Sequence, residues 1–260
     1  MAKYNVRKAN HLIEIEERMS KSAQLWVSYL VACLPKAQEG IDDFPTLEFS
    51  FKEIKNMINA DGKKRVGKVM DVHKLNKELM SIPLWYESEE RAGYVSWLTD
   101  AFLDKKSKEK RFIFRFHPGL KPYLLNLKQH YTYYNFFYRV CLSKNSMKFY
   151  EILKSKQYLK EKYKRSIELN IEDDIKYPLG LIGKYDKYYD FRRKVLDVCQ
   201  KELEKFTDIR FTYEPCKKEW NRVVSILINI ERNVPKSLPE PIMKYMVEGL
   251  DMSSKTLTLF

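Results

Sequence analysis

The side chains best placed to do chemistry are arginines and lysines gathered at a few points of the chain. Lys187, Arg193, Lys194 and Lys201 stand in a segment, 186–206, whose apolar residues follow helical spacing; on a helical wheel they fall away from Phe191, Val195, Val198 and Phe206. Lys63, Lys64, Arg65, Lys68 and Lys74 hold an equivalent place nearer the N-terminus. Lys217, Lys218 and Arg222 lie between two strand-like runs, and a basic turn spans Lys105 to Arg111. Such groups neutralise phosphates, and Arg or Lys also pairs with guanine O6 and N7. Lys63-Lys64-Arg65 falls at the expected start of a helix, where backbone N–H groups already favour a phosphate. The same charges also fit a plain solvated helix face, because Asp190 with Lys194 and Asp197 with Lys201 are (i, i+4) pairs. Spacing alone favours neither reading.

Covalent chemistry finds little to work with. His11, His73, His117 and His130 are isolated, with no HxH or HExxH, and His73 on an apolar helical face reads as a core residue. There is no GxxxxGK[ST] and no GxGxxG, so no nucleotide loop is expected. Cys33, Cys141, Cys199 and Cys216 lack ligand spacing, and three of them sit in apolar segments, as buried thiols of a reducing cytosol do. The carboxylates occupy capping and salt-bridge positions. The expectation is a protein with no catalytic residue, no metal and no cofactor, and not an enzyme. With 48 Lys and Arg against 35 Asp and Glu, the net charge is +13. A polyanion is the natural partner, nucleic acid before an anionic membrane surface, although excess lysine also serves solubility. The N-terminus lacks a signal-peptide core and no uncharged apolar run is long enough to cross a bilayer, so a cytoplasmic protein is expected.

The elements that must position these residues occur twice. Leu47-Glu48-Phe49-Ser50-Phe51-Lys52-Glu53 resembles Ile167-Glu168-Leu169-Asn170-Ile171-Glu172-Asp173, each a short strand running into a capped helix. Ser50 with Glu53 forms a capping box, and Asn170 with Asp173 a shorter version of it. Lys77-Glu78-Leu79 recurs as Lys201-Glu202-Leu203, and Ile82 to Glu87 recurs as Ile209 to Glu214. Helices are expected ahead of each copy over Ser20 to Leu34 and Ser146 to Leu159. The second helix of each pair is expected over Lys63 to Met80, packed through Val66, Val69, Met70, His73 and Leu79, and over Asp186 to Phe206. Hairpins follow: Phe112, Phe114 and Phe116 share one face of a strand, and Val223 to Ile230 form another. Helix, strand, helix, helix, hairpin is the plan of a winged helix. The fold class is therefore α+β, with two tandem winged-helix domains over 1–128 and 129–232. A linker is expected near Lys128 to Asn135. A Pro-containing tail over 233–260 is expected to end in a short helix through Met243, Tyr245, Met246 and Leu250.

At this point the residues resemble the initiator replication proteins of iteron-containing bacterial plasmids, the Rep type 3 family, from about Val6 to Ile230. Val6-Arg7-Lys8-Ala9-Asn10 is similar to the family's opening helix, and Leu142-Ser143 with Ser146 to Lys154 to the helix that opens its second domain. Tyr189-Asp190-Phe191-Arg192-Arg193-Lys194-Val195-Leu196-Asp197, Thr207-Asp208-Ile209 and Tyr213-Glu214-Pro215 are similar to its recognition helix and wing, which adds Arg192 to the candidate contacts. Two features depart from the pattern. Val198-Cys199 stands where the family has Pro-Ala, and Lys217 to Arg222 lacks the glycine of the family's wing. The resemblance implies monomers that bind direct repeats (iterons) in double-stranded DNA at an origin and recruit the host DnaA initiator and DnaB helicase. It also implies dimers, joined through the first domain, that repress their own promoter at an inverted repeat. Arg193 and Lys194 would read one major groove, and the first domain would hold the next one partly through backbone contacts. A tandem winged-helix repressor without a replication role, and a basic interaction scaffold, remain open alternatives.

Overall fold

The computed structural model describes residues 4–15, 18–35, 43–87, 91–125, 127–163, 166–220 and 222–247. The chain packs as two compact units. The first holds Met1–Ala9, Met19–Val140 and Pro239–Phe260, and the second holds Asn10–Arg18 and Cys141–Leu238. The division falls between Val140 and Cys141 rather than near 128, and the described part of the expected tail, 233–247, is divided between the units instead of standing apart.

In chain order the first unit begins with β1 (Asn5–Ala9), followed by α1 (His11–Glu14), which belongs to the second unit. Then come α2 (Lys21–Ala32), β2 (Leu47–Ser50), α3 (Phe51–Ile58) and α4 (Val69–Ser81). They are followed by β3 (Leu84–Glu87), β4 (Ala92–Val95), β5 (Leu98–Asp104), β6 (Arg111–Phe116), α5 (Lys121–Leu124), β7 (Tyr131–Asn135) and α6 (Phe137–Val140). The Ser20 hydroxyl caps α2 by accepting from the Ala23 N–H at 3.2 Å. Ser50 and Glu53 form the expected capping box at the start of α3. The core is aromatic: Trp26 of α2 meets Phe114 of β6 edge-on at 5.2 Å and Phe49 of β2 at 5.7 Å. Phe112, Phe114 and Phe116 all point inward, as their period of two requires.

Residues 5–9 form a strand, not the helix expected for the opening segment. They pair antiparallel with β7, from Asn5 opposite Asn135 to Ala9 opposite Tyr131. The aromatic run expected as a linker is thus sheet. Thr132 and Tyr134 are buried while Tyr131 and Tyr133 face outward, an alternation that belongs to a strand.

The second unit uses α7 (Lys144–Tyr163), β8 (Ile167–Asn170), a π-helical turn (Ile171–Lys176) leading into α8 (Tyr177–Leu179), and α9 (Tyr188–Phe191). A second π turn (Arg192–Leu196) joins α9 without a break to α10 (Asp197–Phe206). Beyond lie β9 (Ile209–Pro215), β10 (Lys218–Glu219), β11 (Arg222–Val223) and β12 (Ser225–Arg232). The core gathers Phe149, Tyr150 and Leu153 of α7, Phe191, Val195 and Leu203 of the long helix, and Phe211, Ile226 and Ile228 of the sheet. On the other side of α7, the Lys148 ammonium donates to the Leu12 carbonyl at 3.4 Å and Lys156 pairs with Glu14 at 3.2 Å, which seats α1.

Each unit therefore repeats helix, strand, helix, helix, hairpin. The sheets have the same order, β2–β6–β5 in one and β8–β12–β9 in the other. This equivalence sets β5 against β9, so Leu98–Asp104, not Ile82 to Glu87, stands where Ile209–Pro215 stands. The earlier run forms β3, which pairs with β4 alone, a hairpin inserted after α4. Short aromatic strands that follow a helix look alike in sequence, and only hydrogen bonding distinguishes them. The strap after β12 is held in the second unit by Asn233, whose amide donates to the carbonyls of Glu204 (2.7 Å) and Thr207 (2.8 Å). The chain ends its described part in α11 (Glu240–Val247), where Ile242 is buried and the Tyr245 ring stacks on Phe137 at 5.2 Å. Leu250, expected on this helix, lies outside the described residues.

Candidate nucleic-acid interface

The long helix over 188–206 presents Arg192, Arg193, Lys194 and Lys201 to solvent, as expected, and Lys187 is exposed at its N-cap. Its packed face keeps Phe191, Val195, Cys199 and Leu203, which follow the expected helical spacing, and adds Leu196, but Val198, expected on it, is 37% exposed. The cause is the π turn, which fits an extra residue into one turn and rotates everything after it. Arg192, Arg193 and Lys194 all lie in that widened turn.

Tyr189, one turn earlier and exposed, carries both guanidinium groups against its ring, Arg193 at 5.6 Å and Arg192 at 5.8 Å. Lys194 lies over the Tyr185 ring at 5.6 Å. Sequence reasoning passed over these tyrosines as contacts, although the (i, i+4) spacing of Tyr189 and Arg193 marked one of them. Of the two expected ion pairs, Asp190–Lys194 forms, at 3.6 Å. Asp197 turns instead to Arg192 (4.0 Å) and accepts a hydrogen bond from the Tyr213 hydroxyl, whose pKa is pushed well up by burial and by that bond. Lys201 and Arg193 make no ion pair among the described residues.

The wing is fastened to this helix at its base. Tyr213 reaches Asp197, and the Gln200 amide donates to the Phe211 carbonyl at 2.9 Å. β12 pairs with β9 as far as Ile226 opposite Pro215, and β10 and β11 then extend the hairpin. Its arms are braced: Lys217 pairs with Glu168 at 2.9 Å and Arg222 with Glu172 at 2.6 Å. The Lys217 ammonium holds the Glu168 carboxyl below the usual glutamate range. Lys218 makes no such pair among the described residues. The hairpin carries the fully exposed Trp220 at its apex, which sequence reasoning did not single out.

In the first unit the helix equivalent to 188–206 starts later than expected. α4 begins at Val69, so Lys63, Lys64 and Arg65 lie in the loop before it and not in its first turn. Three side chains cause this. Asn59 accepts from the Arg65 and Val66 N–H groups (2.8 and 3.0 Å), which closes the loop onto the end of α3. Arg65 forks onto both oxygens of Asp61 at 2.5 Å and also donates to the Ile58 carbonyl at 2.8 Å. Asp71 accepts from the N–H groups of Gly67 (2.8 Å) and Lys68 (2.9 Å), setting the helix start. Arg65 is thus a loop brace rather than a candidate contact. Lys63, Lys64, Lys68 and Lys74 are exposed and make no ion pair among the described residues. Met70, expected in the core, is 60% exposed, and Val72 and Leu75 pack beside Val66 and Leu79, which are buried as expected. His73 lies against Phe112 at 5.5 Å, consistent with a packing residue.

The thiols of half-buried Cys33 and buried Cys199 are each pushed up to about 12 by desolvation, far from the thiolate a nucleophile or ligand needs. Among the described residues no group of His, Cys, Asp and Glu could hold a metal ion, and no helix is long and apolar enough to cross a membrane.

Comparison with known proteins bears on the same two units. No curated protein matches the chain. The crystal structure of Pi initiator protein in complex with iteron DNA is similar in fold. It has a TM-score of 0.58 and 15% identity, with 88% of this chain and 97% of that chain covered. Residues 5–154 match the family model described as Initiator Replication protein, WH1, and residues 172–230 match the one described as Initiator Rep protein, WH2. With both winged-helix domains matched in order over most of its length, the chain belongs to the initiator replication protein family.

Proposed function

We propose that this initiator replication protein binds direct repeats in the duplex DNA of a bacterial plasmid origin, with the helix over 188–206 in the major groove. The observation that carries this reading is Arg193, which is exposed, rests on the Tyr189 ring, and has no carboxylate partner among the described residues. A guanidinium held this way is ready for guanine O6 and N7 and loses no competing ion pair on docking. Arg192, Lys194, Lys187, Lys201, Lys217, Lys218 and Arg222 surround it as phosphate contacts. Lys63, Lys64, Lys68 and Lys74 supply backbone contacts from the first unit. The likeness in fold to Pi initiator protein, whose crystal structure is of a complex with iteron DNA, supports the same use of both domains.

The role is one of binding rather than covalent chemistry, carried out in the bacterial cytoplasm. Monomers occupy the repeats and bring in the host initiator and helicase. Dimers joined through the first domain repress the protein's own promoter at an inverted repeat. The test is affinity for a duplex carrying the direct repeats of the adjoining origin, against a scrambled duplex at physiological salt. Preference of about a thousandfold or more is expected of specific readout. Near-equal affinity overturns the reading.

A further inference from the structure

Trp220 is the most exposed large apolar residue at the hairpin, and its backbone lies in the left-handed region at φ +55°. Both facts are unfavourable in the isolated protein. A tryptophan has a large apolar surface to leave in water, and a residue with a Cβ meets steric resistance at such a φ, which suits glycine or asparagine. Strain of this kind persists where the surroundings impose it, and it gathers at sites that meet a ligand. Here the tight turn by which Glu219 pairs with Arg222 imposes it, since short hairpin turns require a positive φ. The arms of the hairpin are tied down by Lys217–Glu168 and Arg222–Glu172, and its base by Tyr213–Asp197 and Gln200–Phe211. The last two bonds attach it to the helix that carries Arg193.

We propose that Trp220 is an apolar wedge, held out by the braced wing to enter the minor groove beside the major groove occupied by the 188–206 helix, where it opens a base step and bends the duplex. The partner chemistry follows from the neighbours. Lys218, two residues before the ring, is exposed and makes no ion pair among the described residues, and its positive charge suits a phosphate-lined groove. Apolar side chains inserted at base steps from the minor groove unstack them and bend the duplex. This inference rests on the DNA-binding reading above.

Of the four tryptophans, Trp26 and Trp97 are buried, so in a Trp85→Phe background Trp220 is the exposed fluorophore. Saturation with the direct-repeat duplex is expected to quench its emission. Trp220→Ala is expected to lower affinity about tenfold, the scale of one lost base stack, and to reduce the bend read by energy transfer between the duplex ends. Trp220→Phe keeps most of both. Unchanged emission at saturation, or a Trp220→Ala protein that binds and bends as wild type does, overturns the wedge while leaving DNA binding intact. A wild-type protein that does not distinguish repeat from scrambled duplex removes the underlying reading as well.

Discussion

Arg193 and Lys64 carry the same charge in different surroundings, and the surroundings set what each loses on truncation. Arg193 is oriented by Tyr189, so Arg193→Ala is expected to weaken binding to the repeat by about 1–3 kcal/mol and to relax preference at one base position. Competition binding against single-base variants of the repeat checks this, and an equal loss on all sequences would make Arg193 a phosphate contact. Lys64 stands in a loop with no ring contact or ion pair among the described residues to orient it, so Lys64→Ala is expected to weaken binding uniformly, with preference unchanged. Both residues were legible as candidates from charge and position. What sorted them was not. The sequence marks a cation, but its pairing depends on side-chain geometry, as Arg65 shows: it sits in the same basic triplet as Lys64 and is committed to Asp61.

Among the elements, the capped start of α3 was readable because an N-cap is a local pattern, and the sequence placed Ser50 correctly; Ser20, expected as the first residue of a helix, is instead the N-cap of α2. The start after β8 was readable only in part. Asn170 accepts from Glu172 and Asp173 as expected, but the carboxylate that reaches back to its N–H is Asp174, at 2.8 Å, because the first turn is π-helical and one residue wider. A π turn leaves no spacing signature until its hydrogen bonds are seen, which is also why Val198 was assigned to the core. The late start of α4 has a measurable counterpart. Asp61 is nearly buried, and burial alone would raise its pKa, but the fork and charge of Arg65 outweigh this and hold it below the usual aspartate value of 3.8. A depressed carboxylate stabilises the fold above that value, and its contribution fades as pH falls through 3.8 to the lower folded value. Asp61→Asn is expected to cost about 2 kcal/mol at neutral pH. It should also flatten the acid limb of a denaturation curve recorded between pH 5 and 2. An unchanged acid limb would show that the pair does not hold the loop.

At the scale of the molecule, charge is the dominant handle. If the seven lysines at 63, 64, 68, 74, 187, 201 and 218, which make no ion pair among the described residues, each neutralise a phosphate, log affinity against log salt concentration should fall with a slope of about −6. A slope near zero would favour a scaffold that binds by packing alone. The paired cations Lys194, Lys217 and Arg222 must first leave a carboxylate and add less. Duplication of the winged-helix plan was legible because each copy carries its own local pattern of caps and alternation. The distribution of chain between the copies was not, since it depends on segments far apart in sequence. The first unit draws on three stretches of chain and the second on two. A single cut between Val140 and Cys141 would leave one fragment with Phe137 stripped of the Tyr245 ring, and another with Lys148 deprived of the Leu12 carbonyl. Neither fragment would be a finished domain, so inheritance by recombination cannot trade one unit for a foreign one at a single crossover.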